Sequence, residues 1–287
     1  MKQTIAGQRR RRRGVTLMEV LISTFVLSIG LLGLAALIPV GNVGILAATK
    51  ADRAGACARA GLSNTKIYRL LDSNNWTGTP SSGSFAIDPL GGASSIGFLD
   101  KVSLKNPATG MAWTDDMIEH VFRWHDDLAF AVPKDVSLRP VDAGYGEKGL
   151  YSWFLTATPS PIDTEVFQVS IVVCHGRDFS QGSENTNAKV QGGGWGGGRV
   201  ELGGAIKVNE DDWILLCDAA GNAAKWYRVV GVAAADGTDG GEKDEVELNG
   251  PDCPEWAGSN VKAAVIHDVV GVCTATIELD RFSIWNQ

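Results

Sequence analysis

Residues 15–48 are apolar on every side of a helix drawn through them, and Glu19 is their one ionisable side chain. A run of that length exceeds the roughly 20 residues with which an α-helix crosses about 30 Å of hydrocarbon. The span is placed at about residues 15–38. Small residues come next, Ala47, Ala48, Ala51, Ala54, Ala56, Ala58 and Ala60, with Lys50, Asp52, Arg53 and Arg59 between them. Alanine favours helix and lets neighbours approach closely. The helix is therefore predicted to continue, as an exported amphipathic half, to about Leu71 and to stop at Asp72-Ser73-Asn74-Asn75. Pro39 and the glycines at 30, 33, 41 and 44 are expected to weaken it locally.

After Trp76 the texture changes to short β-type runs separated by Gly, Pro, Ser and Asn. The candidate strands are residues 119–124, 151–157, 166–174, 213–217, 225–232, 245–248, 261–267 and 270–279. Ala219-Ala220-Gly221-Asn222 reads as a hairpin turn between the fourth and fifth of these. No amphipathic helix recurs between strands, so a parallel α/β sheet is not expected. The predicted fold is α+β: a long N-terminal helix packed on an antiparallel, β-rich body. Residues 77–95 and 180–198 read as loops. The domain plan is a leader at 1–14, a helix at 15–75 and a body at 76–287, with two subregions divided near 180–198.

Charge sharpens the picture of the N-terminus. Lys2, Arg9, Arg10, Arg11, Arg12 and Arg13 supply six of the 26 basic residues, and no acidic residue precedes Gly14. Without them the formal charge falls from −7 to −13. An acidic body argues against nucleic acid or an anionic lipid surface as its partner. The basic run before an apolar span places the N-terminus in the cytoplasm and exports the rest of the chain. A secretory signal has a shorter apolar region and a small-residue cleavage site, as at Leu46-Ala47-Ala48, and a plain anchor leaves the carboxylate unexplained. A carboxylate inside a spanning helix costs on the order of 2.5–3.5 kcal/mol, so it calls for a partner.

The residues Gly14-Val15-Thr16-Leu17-Met18-Glu19-Val20, behind a basic leader, resemble the processing motif of type IV prepilins and pseudopilins. The adjoining LSIGLLGLAAL is similar to minor pilins of the PilV kind. The resemblance implies that a prepilin peptidase cuts between Gly14 and Val15 and that the new amino group of Val15 is methylated. It further implies assembly with other pilin or pseudopilin subunits from the inner membrane. Phe is commoner than Val at the first mature position. The role of Glu19 also comes from electrostatics alone: a neighbouring subunit's free N-terminal amine pairs with it, so two costly charges neutralise each other and set the register between helices.

Other candidate chemistry is thinner. His120 and His125 with Asp126 and Asp127 form the densest ligand-type cluster, but on an alternating strand two histidines five apart face opposite ways. His175 and His267 sit at predicted strand ends. The glycine run around Trp195 lacks the helix start and Gly-Lys-Ser/Thr element of a phosphate loop. Asp236, Asp239, Glu242 and Asp244 lie in an acidic loop that offers oxygen ligands to calcium without EF-hand spacing. Some pseudopilins bind calcium near the C-terminus; the competing reading is a solvated hairpin turn. The five cysteines, Cys57, Cys174, Cys217, Cys253 and Cys273, form no CxxC pair; one or two disulfides among the last four are expected in an exported body, leaving Cys57 over. No nucleophile–base motif appears, and no catalysis is expected. The expected function is that of a minor pilin or pseudopilin in a type IV pilus or type II secretion-like filament. The alternative is a membrane-tethered binding protein that enters no filament.

Overall fold

A computed structural model describes residues 16–80, 83–91, 96–124, 151–160, 162–163, 165–177, 183–192, 197–203, 206, 208–234, 244–252, 256 and 258–278. The chain divides into two compact units, Met1–Lys50 and Ala51–Gln287. Helix α1 (Leu17–Ile67) runs through Pro39 without a break. Proline removes one backbone donor there, so the expected weakening amounts to the bond to the carbonyl of Ala35. The helix ends four residues before Leu71. Arg69 adopts a positive φ of 51°, and the backbone N–H of Leu70 donates to the carbonyl of Thr65 at 3.0 Å. This left-handed residue turns the chain so that Leu70 and Leu71 are buried instead of continuing the helix. Asp72 then caps the short turn Ser73–Asn75 by accepting from the Asn74 N–H.

The second unit holds one open sheet and one closed barrel. The sheet consists of β1 (Phe85–Ile87), β2 (Asp100–Lys101), β3 (Tyr151–Pro159), β4 (Val166–His175) and β11 (Val269–Glu278), in the order β11-β4-β3-β1-β2. Its pairs are antiparallel except β1 with β2, which is parallel. The barrel is built from β5 (Glu184–Gly192), β6 (Gly197–Leu202), β7 (Trp213–Cys217), β8 (Ala224–Ala234), β9 (Asp244–Asn249) and β10 (Asn260–Val265). It closes in the order β10-β5-β6-β9-β8-β7, with β7 paired back to β10. All six barrel strands lie in sequence between β4 and β11. The barrel is thus an insertion into the sheet.

The period-2 alternation of strands explains why β3 and β4 read as nearly unbroken apolar runs: both faces are covered. On one face Trp153, Leu155, Val169 and Ile171 pack against Ala54, Cys57 and Ala58 of α1. Gly61 permits this approach. A Cβ there would lie 2.8 Å from Ile171 Cγ2 and 3.1 Å from Trp153 Cδ2. On the other face Phe154, Val172 and Cys174 meet Leu215, Cys217, Trp226 and Ala264 from the outer wall of the barrel. The same barrel strands turn Ile214, Leu216, Tyr227, Val229, Ala263 and Val265 inward to fill its core. Polar contacts fix the seam: Trp226 Nε1 donates to Thr156 Oγ1 at 2.9 Å, and the Ser84 N–H donates to the Gly221 carbonyl at 2.8 Å.

Several expectations are corrected. Residues 119–122 belong to helix α2 (Asp115–Phe122), not to a strand, and Arg123 just beyond it makes an isolated antiparallel bridge to Ser152. Thr114 caps it by accepting from the Met117 N–H, and Asp115 and Asp116 favour its first turn. The helix docks Val121 and Phe122 on the sheet. The predicted loop 180–198 carries β5 and the start of β6, and the predicted loop 77–95 carries β1. The turn at 219–222 joins β7 to β8 as expected, with Gly221 at a φ of 81°. Cys174, Cys217 and Cys273 are free thiols, so no disulfide links these three; Cys253 lies outside the described residues.

Candidate functional site

The first unit is where the sequence concentrates unusual chemistry. Its first described residue, Thr16, accepts the Glu19 N–H both through its carbonyl, at 3.0 Å, and through its hydroxyl, at 3.3 Å. A threonine three residues before a glutamate is the pattern that starts a helix, and the carboxylate sits favourably in the positive first turn. Every described residue from Thr16 to Lys50 is exposed. Leu17, Met18, Leu27 and Leu37 are each more than 60% accessible, and at about 100° of turn per residue they project from four different sides of α1. A helix apolar all round needs lipid or other helices around it.

The hydroxyls of Ser23, Thr24, Ser28 and Thr49 are satisfied within the helix. Ser23 Oγ donates to the carbonyl of Glu19 at 2.7 Å, Ser28 Oγ to that of Thr24 at 2.7 Å, and Thr49 Oγ1 to that of Ile45 at 2.8 Å. Such bonds let hydroxyls enter hydrocarbon at little cost. The Glu19 carboxylate remains as the charge that an apolar setting must neutralise. Gly14 and Val15, the expected cleavage and methylation positions, lie outside the described residues.

The other candidates are dispersed. His120 stands in the last turn of α2, so strand alternation does not describe it; His125, Asp126 and Asp127 lie outside the described residues. His175 ends β4 with its ring 4.8 Å from that of Tyr151. His267, in the turn before β11, places Nε2 3.6 Å from Glu184 Oε1. Trp195 lies outside the described residues, between the paired strands β5 and β6. Asp236, Asp239 and Glu242 lie outside them too, and Asp244 is the first residue of β9, which pairs with β8 across that loop. Among the described residues no group of three or more His, Cys, Asp or Glu is placed to hold a metal ion.

Sequence reasoning missed one buried ionic site. Arg177 donates from Nη1 to Asp88 Oδ1 at 3.0 Å and from Nη2 to Oδ2 at 2.7 Å. The Asp88 side chain is fully buried and that of Arg177 is 7% exposed. The Gly91 N–H also donates to Asp88, and the guanidinium lies 4.9 Å from the centre of the Phe154 ring. Burial alone disfavours the Arg177 charge, but Asp88 outweighs it and holds the guanidinium above its usual range. Nearby, burial lowers Lys101 and pushes the Cys174 thiol up to about 12. Neither Asp88 nor Arg177 sits in a motif, and 89 positions separate them. The pair joins the end of β1 to the point where the chain leaves β4 for the barrel, which gives it a positioning role.

Residues 9–35 match the family described as the prokaryotic N-terminal methylation motif. The matched stretch contains the arginine run, Gly14, Val15 and Glu19, and it supports a type IV pilin-like N-terminus. The β-rich body lies beyond it. No curated protein and no solved structure matches the chain.

Proposed function

We propose that this chain is a structural subunit, a minor pilin or pseudopilin, of a type IV pilus or type II secretion-like filament. The observation that carries the reading is the joint occurrence of the matched N-terminal motif and an exposed apolar helix whose single intramembrane charge is Glu19. A prepilin peptidase removes residues 1–14, and Val15 becomes the mature, methylated N-terminus. The chain then waits in the cytoplasmic membrane as a single span with its β-rich body exported. On assembly the amine of one subunit meets Glu19 of another, replacing two separate desolvation costs by one pair. The body, at more than 200 residues, is bulky for close helical packing, which favours a low-copy position. It recognises or caps; it does not catalyse.

N-terminal sequencing of the membrane-extracted protein tests the first step. A mature chain beginning at Val15 is expected, and one beginning near Ala48 would refute prepilin processing. A Glu19→Ala variant is expected to be processed normally yet to be lost from sheared filaments by tenfold or more, on the order of the 1.4 kcal/mol or greater that an unpaired intramembrane charge represents. Normal incorporation of that variant would remove the register role. A protein correctly processed but never found in filaments would favour the membrane-tethered binding protein.

A further inference from the structure

The barrel enters and leaves the sheet at one place. Glu184, the first residue of β5, stands opposite Val265, the last residue of β10. Where the chain leaves β4 and returns to β11, Cys174 stands opposite Val269, and the His175 N–H donates to the Asp268 carbonyl at 2.9 Å. Joining Arg177 directly to His267 would therefore leave β4 and β11 as a hairpin, with Gly176, Arg177 and His267 as its loop. Loops of that length are common in hairpins. Ends this close together are what a host fold needs to tolerate an inserted domain.

The two cores are separate as well. The core shared by α1, α2 and the sheet, with Cys57, Phe122, Trp153 and Ile171 in it, contains no described residue of the barrel. The barrel core, with Val200, Ile214, Tyr227 and Val246 in it, contains no described residue from outside positions 184–265. Closure gives every barrel strand two neighbours, so the barrel pairs its own backbone and presents no edge. The wall away from the seam is built for water. On it Lys189 stands opposite Glu201 and Arg199 opposite Glu247, cross-strand pairs of opposite charge. Among the described barrel residues Val230 is the one exposed large apolar side chain, whereas the centre of a subunit interface is apolar and depleted in charge. We infer that α1 and the sheet form a complete assembly unit and that the barrel is a carried module, displayed by the filament and taking no part in its contacts. This rests on the filament reading above.

Two measurements test this. The first uses the full chain carrying Lys189→Cys, on the outer wall of β5. Cys57, Cys174 and Cys217 are buried, and the wild-type chain supplies the background. A bulky maleimide is expected to label Cys at 189 in intact sheared filaments within about twofold of its rate on the detergent-extracted chain; protection of about tenfold or more would place the barrel in a filament contact. The second uses a chain without residues 178–266, in which Phe154→Thr and Val172→Thr make the uncovered sheet face polar while suiting a strand. It is expected to unfold cooperatively and to reach filaments within about twofold of the wild type. Failure to unfold cooperatively would show that the sheet is incomplete without the barrel. A cooperative fold lost from filaments by about tenfold or more would show that assembly uses the barrel. Absence of the wild type itself from filaments would overturn the filament reading and the assembly half of this inference together, with melting of the shortened chain deciding the folding half.

Discussion

Replacing Arg177 by Met removes both hydrogen bonds to Asp88 and leaves a carboxylate in a fully buried position with the Gly91 N–H as its remaining described donor. Breaking a buried ion pair from one side costs about 3–5 kcal/mol, because the surviving charge keeps its desolvation penalty and loses its partner. Methionine gives up the guanidinium's place 4.9 Å from the Phe154 ring centre but offers a thioether to the same ring, so little of the loss comes from packing. For a body of this size each kcal/mol corresponds to roughly 2–4 °C, so a fall on the order of 10 °C in melting temperature is expected. The assay is urea unfolding of the fragment Ala51–Gln287, a compact unit by itself, for wild type, Arg177→Met, Asp88→Asn and the double variant. Because the groups touch, the double variant should lose clearly less than the sum of the singles. If Arg177→Met costs under about 1 kcal/mol, the worth of an exposed pair, the Asp88–Arg177 pair does not hold the end of β1 to the exit of β4.

Two further perturbations address the two faces of the sheet. Gly61→Val sets new carbon atoms against Ile171 and Trp153, and overpacking of that kind costs about 1–3 kcal/mol, measurable as a lower urea midpoint at unchanged slope; a neutral result would mean that α1 stands further from the sheet. On the barrel side, burial pushes the thiols of Cys174 and Cys217 up to about 12 from an ordinary 9. The folded state therefore holds these protons after the unfolded chain has released them. Their contribution is complete below pH 9 and is lost as pH rises from 9 towards 12, by up to about 1.4 kcal/mol per pH unit for each thiol. Urea midpoints between about pH 7 and 10.5 should fall more steeply for wild type than for Cys174→Ala with Cys217→Ala; parallel curves would contradict the assigned burial.

The parts of the fold legible in the sequence are those written in local periodicity. The apolar run behind the arginines defines α1, and alternation or continuous burial marks β3, β4, β7, β8 and β10. Strands β5 and β6 escaped because Asn185, Asn187, Gly192, Gly197 and Gly198, poor strand formers, break up their apolar pattern. Their alternating Ala188 and Val190, and Val200 and Leu202, are buried only because a barrel closes around them. The segment 119–124 misled in the opposite sense: Val121 and Phe122 look like strand residues, while the signal for α2 lies upstream in Thr114, Asp115 and Asp116.

The sequence by itself determined that the N-terminal helix is long and apolar enough to cross a membrane, since hydrophobic length is a property of consecutive residues. Only the tertiary structure decided that the barrel interrupts the sheet between β4 and β11 and that Asp88 meets Arg177. Those outcomes depend on which distant strands pair. Pairing is chosen by the joint burial of both faces of the sheet, a quantity that no single stretch of the chain contains.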